Sequence, residues 1–420
     1  MAGPVNVLVV LLDDVGVDQV SAYGWPGAPA TPTIDALAAR GLRFDHAWAA
    51  PSCSPTRAAL MSGQYAHRTT IGAVIHENQP AELPLSVVTL PEGLKRAPGG
   101  WSAGYVGKWH LSTETSPSGA EHPWLQGFDQ FSGSLNNIVG ADRSMVNWDR
   151  VGFDHQTVRE TRFSTDAIVD DALEAAGRLQ QPFLLYVAFH AAHQPMMVPP
   201  GVDLPDPTLN TLYAANVSYA DQQLGRLLDG LGDRLQNTLV LVLGDNGTPD
   251  HAKDPDGQVG AKGGFLEGGV NVPFIVAGPP VTARGASSSL VHVVDVFPTL
   301  MELAGAPGLD RELDGHSLVP LFTDPTRSVR ELVYTELRHP PTGPPWKKVE
   351  RAASDGTHKL VDTFGEGERW YVSPQGGVEH EVPEREVPAD VRRELRRELA
   401  RHPVGVTRPE GPSAPSRSDR

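Results

Sequence analysis

Cys53 is the only cysteine in the chain, and Arg57 follows it four residues on, in the run Cys53-Ser54-Pro55-Thr56-Arg57. Ser54-Pro55 reads as a helix cap followed by a first-turn proline, opening a helix over Thr56–Ser62 that stops at Gly63. Four residues make about one helical turn, so the guanidinium stands roughly 6 Å along the axis from Cys53. A helix N-terminus and an arginine both favour negative charge beside position 53. The arginine fork also suits a tetrahedral oxyanion. Taken alone, Cys53 has two simpler readings, a buried thiol or a plain thiolate nucleophile.

A second set of polar residues follows short apolar runs. Asp13 and Asp14 follow Val5–Leu12, and Lys108 and His110 follow Ala103–Val106. His190 and His193 follow Phe183–Phe189, and Asp245 and Asn246 follow Thr238–Leu243. These runs, with Pro273–Ala277, are apolar on both faces, as buried parallel strands are. Open α/β sheets bind ligands outside the carboxyl ends of their strands. Singly, each polar residue has a bland reading: a turn at Asp-Asn-Gly, a loop start at Asp13-Asp14, a structural histidine. Their coincidence at one sheet edge favours a site. Asp13, Asp14, Asp245 and Asn246 offer oxygen only, which suits Ca²⁺ or Mg²⁺ and not zinc. A cation also explains how three carboxylates can share one place.

The elements that must hold these residues alternate between strand and helix. Pro32–Ala39, Asn210–Leu231 and Asp295–Ala304 have helical signals, the first behind a Thr31 cap. The fold expected is α/β: a large, doubly wound mixed sheet sandwiched by helices over residues 1–322. After Asp324-Pro325 the texture changes to short strands at Glu331–Glu336, Arg351–Ser354, Lys359–Thr363 and Arg369–Val372. With a charged helix over Pro388–Arg401, they predict a small C-terminal antiparallel-sheet subdomain over residues 323–402. Residues 403–420 read as a disordered tail. Trp25, His76, Trp124, Asn136, Asn137 and Trp148 fall in expected loops and are candidates for a pocket wall.

A net charge of −16 argues against nucleic acid as a partner and disfavours long polyanionic substrates. One cysteine allows no disulfide within the chain. The first apolar run ends at Asp13, too short for a membrane span and without a signal-peptide layout. A cytoplasmic protein without membrane attachment is expected. Oligomeric state stays open.

The blocks together resemble the type I sulfatases of the alkaline phosphatase superfamily. Cys53-Ser54-Pro55-Thr56-Arg57 matches the family's C-x-P-x-R maturation motif, continuing through Ala58–Tyr65. Gly107-Lys108-Trp109-His110-Leu111, Gly127-Phe128-Asp129, Asp245-Asn246-Gly247, Lys262 through Pro273, and Asp314-Gly315-His316-Ser317-Leu318 match further family blocks in order. The resemblance covers residues 5–322. It implies that a formylglycine-generating maturation enzyme oxidises Cys53 to an aldehyde, whose hydrate attacks sulfur. It implies a cation, Ca²⁺ or Mg²⁺, on Asp13, Asp14, Asp245, Asn246 and the residue at 53. Arg57 and Lys108 would stabilise developing charge. His193 and Lys262 would bind sulfate and protonate the leaving oxygen, and His110 would take a proton from the hydrate. His190 competes with His193 for entry to the site, although His193-Gln194-Pro195 fits the family better. A small sulfate ester is the substrate so implied. A phosphonate monoester or phosphodiester hydrolase using the same aldehyde, and a non-catalytic sulfatase-like binding protein, are the other readings.

Overall fold

Val7, Val9 and Leu11 pack into one apolar cluster and Leu8, Val10 and Leu12 into another, so the first strand needs cover on both faces. A computed structural model describes residues 5–138, 142–253, 257–308, 311–373 and 378–405. The strands in chain order are β1 (Asn6–Leu12), β2 (Leu42–Trp48), β3 (Ser102–Gly107), β4 (Gln130–Ser132), β5 (Trp148–Val151), β6 (Thr157–Glu160), β7 (Phe183–Ala188), β8 (Thr238–Gly244), β9 (Phe274–Ala277) and β10 (Gly285–His292). Eight of them form one sheet in the order β10-β2-β9-β8-β1-β7-β3-β4, while β5 and β6 pair as a separate hairpin.

Helices Pro32–Ala39, Ser164–Arg178 and Leu209–Leu231 cover one face, through Ile34, Ile168 and Leu224 among others. Helices Cys53–Ser62 and Val296–Ala304 cover the other, through Leu60 and Phe297. This is the mixed α/β sandwich expected. One strand corrects its direction: β9, read as parallel, runs antiparallel to both β8 and β2. Burial on both faces makes a strand apolar throughout whichever way it runs, so the pattern carried no directional information.

The C-terminal strands β11 (Val333–His339), β12 (Lys348–Ser354), β13 (His358–Thr363), β14 (Gly367–Val372) and β15 (His380–Val382) form a five-stranded antiparallel sheet. Helix Ala389–Arg401 buries Leu395 and Leu399 beside it. Pro388 is not the first helical residue: at φ −54° and ψ 141° it occupies the cap position. Pro403 and Val404, the first residues of the expected tail, are held in place: Arg338 donates to both carbonyls at 2.8 Å. Residues 406–420 lie outside the described residues. Among the described residues, no helix is long and apolar enough to cross a membrane.

Candidate active site

The strands that carry the polar residues are neighbours. The order β8-β1-β7-β3 brings Asp245 and Asn246, Asp13 and Asp14, His190 and His193, and Lys108 and His110 to one edge. Gly107 lets β3 turn into this edge. Its φ is 107°, and a Cβ there would stand 1.9 Å from the Ala188 carbonyl oxygen. Gly247 does the same after Asn246, where a Cβ would meet the Gly268 carbonyl at 2.0 Å. Asp14 and His110 hold φ of 61° and 58°, a left-handed conformation that is uncommon outside glycine and tolerated best by Asp, Asn and His.

Cys53 enters from the other direction, at the start of its helix. The helix begins at Cys53 with Ser52 as the extended cap residue, and not at Thr56. Ser54 Oγ accepts from the Ile75 N–H at 3.2 Å, so its hydroxyl ties down a neighbouring loop and caps nothing. Pro55 falls in the first turn, where a missing N–H costs no helical hydrogen bond.

The side chains converge. Cys53 Sγ lies 3.6 Å from Asp13 Oδ1 and 3.9 Å from Asp14 Oδ1. Ligand atoms of Asp13, Asp14, Cys53 and Asp245 all lie within 4.8 Å of one another, and all four residues are buried. Asn246 Nδ2 donates to Asp14 Oδ1 at 2.9 Å, while its Oδ1 is buried with no partner among the described residues. A buried amide oxygen without a donor is costly. Beside three carboxylates it completes an oxygen donor set able to bind a hard divalent metal.

Cationic side chains surround this cluster. Arg57 places Nε and Nη2 3.2 and 2.8 Å from Asp245 Oδ2, and donates from Nη1 to the Lys108 carbonyl at 2.6 Å. The Tyr105 hydroxyl donates to that carbonyl as well. Lys108 Nζ reaches Asp13 Oδ2 at 2.5 Å, and Lys262 Nζ reaches Asp14 Oδ1 at 2.5 Å. Burial opposes the charge on Asp13 and Asp14, yet the neighbouring lysines and His193 hold both carboxyls below their usual range. Burial, then Asp13, outweigh Arg57 at Asp245, whose carboxyl is raised. Burial also opposes charge on Lys262, but Cys53 and the carboxylates raise it above the usual lysine range. Burial first, and Asp245 next, push the Cys53 thiol up to about 12. That favours a protonated thiol at neutral pH, against the plain thiolate reading.

The histidines divide by position. His193 points Nε2 at Asp14 Oδ2, 3.9 Å away, and its Nδ1 lies 2.6 Å from the Gln194 carbonyl. His190 turns away, with Nε2 2.7 Å from Ser134 Oγ and its ring edge-on to Trp148. His193 is therefore the one at the cluster. His110 Nε2 lies 3.1 Å from the Ile75 carbonyl, which can only accept, so this nitrogen carries the hydrogen. Its Nδ1 is left as a free lone pair without a partner among the described residues. Burial, then Lys108 and Arg57, hold His110 well below the usual imidazole range, hence neutral.

The wall candidates separate too. Asn136 donates to the Ile75 carbonyl at 3.0 Å. Asn136, Asn137 and Trp148 line one cavity, whereas Trp148 belongs to strand β5 and Trp124 to helix His122–Leu125, not to loops. Trp25 and His76 lie in coil. Sequence reasoning missed Ser134 and Tyr105, which hold His190 and the Lys108 backbone. Tyr105, three residues before Lys108, was hidden inside an apolar strand, and Ser134 carried no signal.

A family model described as Sulfatase matches residues 5–306. The chain belongs to the type I sulfatase family. It is 31% identical to arylsulfatase A of Homo sapiens over 80% of this chain and 71% of that protein. It is 32% identical to N-acetylgalactosamine-6-sulfatase of Homo sapiens over 79% of this chain and 68% of that one. Among solved structures, Ps i-CgsB shares a TM-score of 0.77 at 25% identity, covering 96% of this chain and 94% of that one. BT4656 in complex with D-glucosamine-2-N,6-O-disulfate has the same fold, with a TM-score of 0.74 at 18% identity, covering 95% and 97%. This sulfatase hydrolyses sulfate esters, which sets aside the non-catalytic reading.

Proposed function

We propose that Cys53 is converted to formylglycine by a maturation enzyme, and that this residue with Asp13, Asp14, Asp245 and Asn246 holds a calcium ion, magnesium being the alternative. When present, the cation would neutralise ester oxygens and lower a hydroxyl pKa, and the hydrated aldehyde would supply that hydroxyl as nucleophile. Arg57 and Lys108 stabilise negative charge at position 53 from the buried side. Lys262 and His193 stand at the mouth, with side-chain exposures of 21% and 19% against 1% for Arg57 and 0% for Lys108. An ester arriving from solvent meets these two first, so they bind the sulfate, and Lys262 gives a proton to the departing alcohol oxygen. His193, whose Nδ1 faces the Gln194 carbonyl and whose pKa burial lowers, does so from Nε2 only in its protonated form. His110, neutral with a free Nδ1, takes the proton from a hydroxyl at position 53.

The observation that carries this reading is the convergence of Cys53 with three buried carboxylates and an unpartnered amide oxygen. The substrate we infer is a small sulfate ester. A cytoplasmic location is a further proposal, supported by the single cysteine, and cell fractionation tests it. The deciding experiment is the mass of the tryptic peptide Phe44–Arg57 from protein made with a maturation enzyme. An aldehyde at position 53, together with calcium in the purified protein, supports the proposal. An intact thiol in active protein overturns it.

A further inference from the structure

A cavity of about 300 Å³, with none of the charged groups of the reacting position in its lining, is tied to that position by backbone hydrogen bonds. Its connection runs through Ile75. The Ile75 N–H bonds Ser54, next to Cys53, and the Ile75 carbonyl takes both His110 Nε2 and Asn136 Nδ2. Asn136 lines the cavity, as does Ser134, the partner of His190. The wall is thus built on the backbone that holds Cys53 and His110, and its size lies at the lower end of small-ligand sites.

The charge of this wall is one-sided. Arg143 is the single cation among the lining residues, and it is spent on Asp149 at 2.6 Å and Asp142 at 2.9 Å. Asp149 is further compensated by Arg159 at 3.3 Å. Glu77 and Glu114 line the same cavity, are exposed to solvent, and have no hydrogen bond or ion pair among the described residues. Two uncompensated carboxylates accept hydrogen bonds from hydroxyls or an ammonium, and repel an anion. Asn137 also lines the cavity, and its buried Oδ1, without a partner among the described residues, adds an acceptor for an alcohol group.

We infer that this cavity receives the alcohol half of the ester and selects by charge. The substrate class it takes is a monosulfate of a hydroxyl-rich alcohol, uncharged or carrying an ammonium group. Alcohols with a second sulfate or a carboxylate are rejected. The inference rests on Cys53 marking the reacting position, but not on its oxidation.

The test is equilibrium binding by calorimetry to calcium-loaded protein with the unoxidised thiol at position 53, which leaves the ester intact. The probes are a methyl hexoside 6-sulfate and the same ester with a carboxymethyl ether on one hydroxyl. The neutral ester is expected to bind at least tenfold tighter, with the preference shrinking as salt rises, since exposed charges are screened. The double variant Glu77→Gln/Glu114→Gln is expected to lose most of the preference. Because both side chains are exposed and unpaired, a melting curve will show whether that variant keeps its fold. Equal or tighter binding of the carboxylate-bearing ester overturns the inference, as does a preference that survives in the folded double variant. Failure of the aldehyde chemistry would show in the peptide mass and leave this binding comparison intact.

Discussion

Lys108 and Asp13 form an ion pair closed off from solvent: Nζ stands 2.5 Å from Oδ2 and both side chains are 0% exposed. Removing one partner of a buried pair leaves an uncompensated charge and costs about 3–5 kcal/mol. Arg57 remains 3.8 Å from Asp13 and shares the load. Lys108→Met is therefore expected at the lower end, about 3 kcal/mol, with turnover down at least ~100-fold. Urea denaturation with and without calcium, beside kcat, checks both. Calcium should restore part of the lost stability, since it replaces the missing positive charge, but not the turnover.

The unpartnered oxygen of Asn246 gives a second prediction. Chelation should abolish turnover, and calcium should restore it. Calcium at about 100 times its dissociation constant should stabilise the fold by about 2.7 kcal/mol. In Asn246→Ala the same shift in Tm should require more calcium. A midpoint identical to that of the unsubstituted protein would remove Asn246 from the donor set.

How far the amino-acid sequence alone reveals a feature depends on how locally that feature is encoded. The five apolar runs are strands because burial on both faces writes itself into every residue of them. β2 was not readable: Arg43, Asp45 and His46 interrupt its apolar residues and are only partly buried. β10 opens with Gly285, Ala286 and three serines, which carry no apolar pattern to mark a strand. The Cys53 block and the strand-end residues were legible because fixed spacing or a strand terminus marks them. Ile75 was not, since its contribution is a carbonyl and an N–H that any residue carries. Which histidine reaches the carboxylates depended on how the chain from His190 to His193 turns, a property of the folded backbone.

Cys53 is buried in the folded chain, at 1% exposure, inside the first turn of its helix. An enzyme that oxidises it must act before that helix packs. Folded protein carrying the thiol should therefore resist conversion, while a peptide spanning residues 44–65 or the urea-unfolded chain should be converted. Peptide mass after incubation with a maturation enzyme distinguishes these. Rapid conversion of the folded form would mean that the helix opens readily.

Stability should fall in mild acid. His292 is buried, with Nδ1 accepting from the Val294 N–H at 3.0 Å, and burial followed by Arg330 holds it well below the usual imidazole range. It is neutral when folded, whereas the unfolded chain takes up a proton below about pH 6.5. The unfolded state then binds more protons, so stability is present above that pH and lost as pH falls through it. His110 and His190 are depressed in the same direction and add to the slope. Each contributes up to about 1.4 kcal/mol per pH unit. His292→Asn offers an amide oxygen to Val294 and should reduce the slope between pH 6 and 5 by about one proton. Denaturation at stepped pH measures it, and an unchanged slope would mean that His292 takes up its proton in the folded state.

Lys262 is the sharpest test of the chemistry at the mouth. Its ammonium lies on Asp14 at 2.5 Å, yet a fifth of its side chain faces solvent, at 21% exposure. The raised pKa keeps it protonated at neutral pH, so it can give a hydrogen bond or a proton to an oxygen that is losing its bond to sulfur. An alcohol with a low pKa departs without that help, whereas one with a high pKa needs it. Lys262→Ala should therefore slow an alkyl sulfate at least ~100-fold and an activated aryl sulfate far less, which steepens the dependence of kcat/KM on leaving-group pKa. Losses equal across the series would mean that Lys262 contributes binding charge alone, and His193 would then be left as the proton donor. His193→Ala, measured on the same esters, separates the two, because only the donor's removal steepens the dependence.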